Sequence, residues 1–148
     1  MKQNHRYQAL RRNGRAKGFT LLELLVVLAI LGLLAAFVAP RVIKYLSGAK
    51  SDAAAIQVQN LSSVLELYRL DVGSYPSNQD GLQALVTKPA DAPNWAGPYV
   101  RKPSMLIDPW GHPYRYKPAT NGEDPGVYSL GADNAEGGDG ENKDLTSW

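Results

Sequence analysis

The chain has no cysteine, which excludes a disulfide framework, a thiol nucleophile and a thiolate metal site together. Histidine is nearly as scarce, with two in 148 residues. His112 stands between Gly111 and Pro113, has no second histidine nearby, and reads as a turn residue and not as a ligand or general base. No Gly-x-Ser-x-Gly elbow, Walker loop or His-Glu-x-x-His pair occurs. Without a catalytic constellation, the chain reads as something other than an enzyme. Excess positive charge is missing too, once its position is considered. The formal charge is +2, but Lys2, Arg6, Arg11, Arg12, Arg15 and Lys17 all precede Gly18, and the remainder carries ten basic against fourteen acidic side chains, a net of −4. So acidic a body offers nucleic acid no electrostatic footprint.

What the chain does have is an apolar run, Phe19 to Ala39, broken by one acid, Glu23. Its length matches the roughly 20 residues that a helix needs to cross hydrocarbon. The basic cluster ahead of it contains no acid, so the bias of Lys and Arg towards the cytoplasm places residues 1–18 inside and the soluble part outside. A secretory signal peptide would be cut behind its apolar core. Here no Ala-x-Ala lies near the end of the run, and Pro40 follows Ala39. The small residue Gly18 stands in front of the core instead, and a cut after it would discard only the leader. The Arg11-Arg12 pair is followed by Asn13-Gly14, where a twin-arginine signal wants apolar residues. Three segments result: a cytoplasmic leader, 1–18, a transmembrane and assembly helix, 19–39, and an outer domain, 40–148.

Glu23 needs a reason, because an acid at the centre of a membrane helix costs about 2.5 to 3.5 kcal/mol on insertion scales. One reading is a stray acid near the interface. The other starts from a cut after Gly18, which creates an ammonium at Phe19 one helical turn away, near the helix's positive end. Between neighbouring chains in a bundle, Glu23 of one subunit then neutralises the amine of the next and sets the axial register.

Beyond Pro40 the apolar positions thin to a stripe, Ala49, Ala53, Ile56, Leu61, Val64, Leu65 and Tyr68, at helical spacing. Gly73 and Tyr75-Pro76 predict termination near Asp71. One helix of ~80 Å from Phe19 to about Asp71 follows, with a bend or local unwinding expected between Pro40 and Gly48. The part from Ile56 to Tyr68 is expected to pack on the domain's own sheet, leaving Phe19 to about Gly48 for contacts between subunits. A short helix is predicted over Leu82 to Val86, then an irregular proline-rich connection from Pro89 to Pro103. Met105 to Ile107, Tyr114 to Tyr116 and Val127 to Leu130 read as strands, the first two joined by the turn Asp108-Pro109-Trp110-Gly111. The fold class is α+β, a small antiparallel sheet packed against the amphipathic end of a long helix.

The last segment concentrates acid: Glu123, Asp124, Asp133, Glu136, Asp139, Glu141 and Asp144 against the single base Lys143. Interspersed glycines let such a loop curl, and oxygen-rich curled loops suit Ca²⁺. An EF-hand is excluded, since Ala135 and Gly137 fall at ligand positions if Asp133 is first. By composition, a solvated acidic loop remains an equal alternative.

The junction Gly18-Phe19-Thr20-Leu21-Leu22-Glu23 resembles a class III prepilin peptidase site, and the chain after Arg15 is similar to the major pseudopilins, the G-type subunits, of type II secretion systems. Pro40, Tyr75-Pro76 and Gly81-Leu82 fit that family's pattern. Asp108-Pro109-Trp110-Gly111-x-Pro113-Tyr114-x-Tyr116 and Tyr128 to Asp133 separate the G type from other pilin-like proteins. The resemblance implies a pilin-like fold. It also implies cleavage between Gly18 and Phe19 by a membrane aspartyl peptidase, which methylates Phe19 with S-adenosylmethionine. Polymerisation through the amino-terminal helices, with Glu23 and Pro40 as assembly residues, would give a periplasmic pseudopilus. That filament helps push folded proteins across the outer membrane. The implied partners are other copies of the chain, minor pseudopilins, the prepilin peptidase, an inner-membrane assembly platform and membrane lipid. A structural calcium is implied at the Leu130 carbonyl, Asp133 and Asp144, with Asp139 or Glu141 completing the set because Lys143 stands where some relatives supply a ligand. Calcium would then replace the absent disulfides as the staple of the domain. Two rivals share parts of this pattern: a type IV pilin of a surface filament, and a membrane-anchored periplasmic binding domain that never polymerises and is not cut after Gly18.

Overall fold

The computed structural model describes residues 18–120 and 122–148. The basic leader residues from Lys2 to Lys17 lie outside the described residues. The chain separates into two compact units, one ending at Ala39 and one running from Pro40 to Trp148, and each is described by itself.

A single helix, α1 (Leu21–Val72), contributes to both units. It starts at Leu21 because Thr20 caps it: the Thr20 Oγ1 accepts the Glu23 N–H at 3.1 Å, and the Thr20 carbonyl takes the Leu24 N–H at 3.2 Å. It ends one residue past the expected Asp71. Gly73 adopts φ +94° and donates its N–H to the Arg69 carbonyl at 2.8 Å, which closes the last turn. The unwinding expected between Pro40 and Gly48 does not occur, since helix continues through both residues. A proline deletes one backbone hydrogen bond, whereas the turns on either side are already nucleated and propagate through it cooperatively.

In the second unit α1 buries Ala54, Val58, Leu61, Leu65 and Tyr68, a stripe spaced four, three, four and three residues apart. This corrects the sequence reading at three positions. Ala49, Ala53 and Ile56 are exposed, Ile56 at 63%. Ile56 precedes Leu61 by five residues, which at 3.6 per turn rotates it about 140° off the buried line. Leu82, Ala84, Leu85, Val100, Leu106, Tyr114 and Val127 complete the core. The element at 82–86 is a 3₁₀ turn, Gly81–Leu85. Trp95 is held over it by a hydrogen bond from Nε1 to the Ala84 carbonyl at 2.8 Å, and Tyr99 meets both Tyr68 and Trp95 edge to face.

Three short strands form an antiparallel sheet in chain order: β1 (Arg115–Lys117), β2 (Gly126–Ser129) and β3 (Leu145–Thr146). Tyr116 opposes Val127, and Ser129 opposes Leu145. A long helix packed on a small antiparallel sheet is the α+β, pilin-like architecture expected. The strand expected at Met105 to Ile107 is absent. Pro103 to Leu106 form a 3₁₀ turn opened by the proline, and Ile107 makes one isolated bridge to Pro113. Only Leu106 of the three points into the core; Met105 and Ile107 are about 40% exposed. The two-residue β3 carries too little pattern to be read in advance.

Candidate functional site

The first candidate site is the junction ahead of α1. Gly18, Phe19 and Thr20 are non-helical and exposed, Phe19 at 83%, and among the described residues a side chain at Gly18 would meet nothing within 4 Å. The junction is therefore open to another protein. Glu23 lies in the first turn of α1, three residues after the capping Thr20, the spacing of a capping box. Every residue from Leu21 to Pro40 is exposed, although most are apolar. An apolar helix with no covering protein calls for lipid or for other chains around it.

The second candidate site is the loop between β2 and β3. Gly131 (φ +69°) turns the chain away from the buried Leu130. The Ala132 N–H donates to the Glu141 carbonyl at 2.8 Å and closes the loop at its base. Asp133 accepts the Ala135 N–H at 3.1 Å and stays exposed. Asp144 enters the loop from β3: its Oδ2 accepts the Gly137 N–H at 2.9 Å, while its Oδ1 is buried without a partner. A buried carboxylate oxygen with nothing to bind is costly and suits a cation. Asp139 lies exposed at the rim and Glu141 is half-buried. Among the described residues no group of three or more Asp, Glu or His side chains is close enough to hold a metal. The structure thus singles out Asp144 and does not gather Asp133, Asp139 and Glu141 around it.

A polar knot lies beneath this loop, and sequence reasoning missed it. Asp108 is 5% exposed, and its Oδ1 accepts the N–H groups of Trp110 at 3.0 Å and His112 at 2.8 Å. Its Oδ2 takes the hydroxyl of buried Ser129 at 2.7 Å, and the Ser129 Oγ in turn accepts the Gly131 N–H at 3.2 Å. His112 closes the circuit with Nδ1 donating to the Gly131 carbonyl at 3.2 Å. His112 is therefore the structural turn residue expected. The available signal was Asp108 at the first position of a Pro-Trp-Gly turn, where Asp caps the turn through its own side chain; Ser129 had none.

Comparison with known proteins decides the lineage. Residues 41–148 match the family described as "Type II secretion system (T2SS), protein G", and residues 13–39 match the "Prokaryotic N-terminal methylation motif". The chain belongs to the type II secretion protein G family. It is 44% identical to the type II secretion system core protein G of Pseudomonas aeruginosa, over 88% of this chain and 94% of that one. The Vibrio cholerae core protein G is 37% identical, over 94% and 96%. The solved structure of the major pseudopilin from enterohaemorrhagic Escherichia coli superposes with a TM-score of 0.54 at 30% identity, covering 68% of this chain and 83% of that one. The chain is thus a major pseudopilin of type II secretion bearing a methylation motif, a structural subunit and not an enzyme. The protein G match also sets it apart from surface type IV pilins.

Proposed function

We propose that this chain is cut between Gly18 and Phe19, methylated at Phe19, and polymerised through residues 19–39. The observation that carries this reading is the open Gly18-Phe19 junction in front of a helical stretch, Leu21 to Ala39, whose apolar residues are all uncovered, within the segment that matches the methylation motif. Before assembly the run from Phe19 to Ala39 lies in the inner membrane with the leader in the cytoplasm and residues 40–148 in the periplasm, as the leader's charge requires. On leaving lipid, the same apolar surface is covered by other copies of the chain. Glu23 then faces the Phe19 amine of a neighbour, which removes two unpaired charges from a low-dielectric setting. Growth of this polymer is what moves folded cargo outward. The deciding measurement is intact mass and amino-terminal sequencing with and without the prepilin peptidase. A product starting at methylated Phe19 only when the peptidase is present is expected; an uncut chain in both strains refutes the reading.

The loop between β2 and β3 binds calcium in the same reading, supported by the unpartnered Asp144 Oδ1. Carbonyls such as that of Leu130, with Asp133, Asp139 or Glu141, would supply the remaining oxygens that Ca²⁺ takes. The ion supplies charge that a cysteine-free domain otherwise lacks as a staple. Calcium should raise the Tm of the wild-type chain and not that of D144A. Equal Tm values for the wild type with calcium and with chelator overturn it.

A further inference from the structure

Charge is divided unevenly along the part of the chain beyond Glu23. Residues 41–65 hold three bases, Arg41, Lys44 and Lys50, and one acid, Asp52, whereas residues 66–148 hold seven bases against twelve acids. The cations thus crowd just past the apolar run, on the side of the membrane from which the Lys and Arg bias would keep them. Arg41, Lys44, Tyr45, Gly48, Ala49 and Asp52 line a surface cleft of about 450 Å³ on α1. Gly48 has no side chain and nothing within 4 Å of where one would begin, which leaves the floor of the cleft open. Arg41 and Lys44 are exposed, and among the described residues no carboxylate pairs with either.

Position selects the occupant. At 1.5 Å per residue, Arg41 and Lys44 stand about 3 and 8 Å beyond Ala39 along the helix. The headgroup layer on each side of the hydrocarbon is roughly 5 to 8 Å thick, so both cations reach it. Tyr45, 83% exposed, falls at the depth where aromatic rings settle. Asp52, the only acid of the cleft, lies about 20 Å out and clear of that layer.

We propose that Arg41 and Lys44 form a binding site for the phosphodiester of an anionic phospholipid at the outer end of the membrane helix. The site holds the subunit at a set depth before assembly, while the acidic body of the domain is repelled from the same surface. This rests on Phe19 to Ala39 spanning the bilayer. That reading fails separately, if alkaline carbonate strips the full chain from membranes. The test is native mass spectrometry of the full chain in detergent with added phosphatidylglycerol or phosphatidylcholine, for the wild type and for R41Q/K44Q. Wild type should retain the anionic lipid preferentially. The double variant should lose that preference about tenfold or more with an unchanged circular dichroism spectrum. The leader's bases are common to both proteins, so a preference that persists in the variant belongs to them and overturns the proposal. Equal retention of the two lipids by wild type also overturns it, as does complete displacement by inorganic phosphate, which would mark a site for the free ion.

Discussion

Replacing Asp108 by alanine should unfold the domain more readily than any other exchange of one polar residue. The side chain is 5% exposed and serves three donors, the Trp110 and His112 N–H groups and the Ser129 hydroxyl, at 3.0, 2.8 and 2.7 Å. Hydrogen bonds to an ionised group contribute about 1.5 to 3 kcal/mol each, and removing the acceptor leaves its donors buried and unsatisfied. Because the three share one carboxylate they do not add fully, and a loss of about 3 to 5 kcal/mol is expected. That is a large share of the roughly 5 to 15 kcal/mol that stabilises a domain. Urea unfolding of the full chain in detergent, followed by tryptophan fluorescence, isolates this effect, since Trp95, Trp110 and Trp148 all lie in the second unit. D108N keeps an acceptor for both N–H groups and can donate to Ser129, so it should cost about 1 to 2 kcal/mol. If D108A falls within about 1 kcal/mol of wild type, or if D108N is as damaging as D108A, the knot does not hold the turn to the loop.

Other consequences are open to direct measurement. A Cβ at Gly126 would overlap the Trp148 ring, so G126A should displace that ring from its edge-to-face contact with Tyr128. A cost of about 1 to 3 kcal/mol and an altered Trp148 emission should result, and an unchanged spectrum would refute the contact. At Gly131, φ is +69° and a Cβ would lie 2.5 Å from the Glu141 carbonyl oxygen; G131A should open the loop base and speed proteolysis within residues 132–143, and wild-type cleavage rates would contradict this. Burial foremost raises Tyr114 and Tyr116 to about 12, helped by the charge of Asp108 at Tyr114 and by Tyr68 at Tyr116. Unfolded tyrosines ionise near 10, so stability is full below about pH 10 and is lost as pH rises towards 12. The Tm should fall between about pH 10 and 12, less steeply in Y114F, and a flat profile would be inconsistent with these burials.

The sequence by itself determined what depends on composition and local order. The apolar run after Gly18 and the leader's unopposed bases were enough to predict a span and an orientation for it, because these are sums over contiguous residues. The turn at Asp108 to Gly111 and the helix stop at Gly73 were legible for the same reason, since both follow from backbone preferences of adjacent residues. Only the tertiary structure decided which side of α1 is buried. The stripe from Ala54 to Tyr68 and one drawn through Ile56 have the same helical period, and only packing against Leu85, Tyr114 and Val127 fixes the phase. The link from Asp108 through Ser129 to Gly131 spans more than twenty residues, and the seat of Trp148 on Gly126 joins residues that share no local signal. The acids of the last loop looked equivalent in composition. Folding buried one oxygen of Asp144 and left Asp133 and Asp139 exposed, because desolvation is a property of surroundings that the chain acquires only when β3 closes against β2.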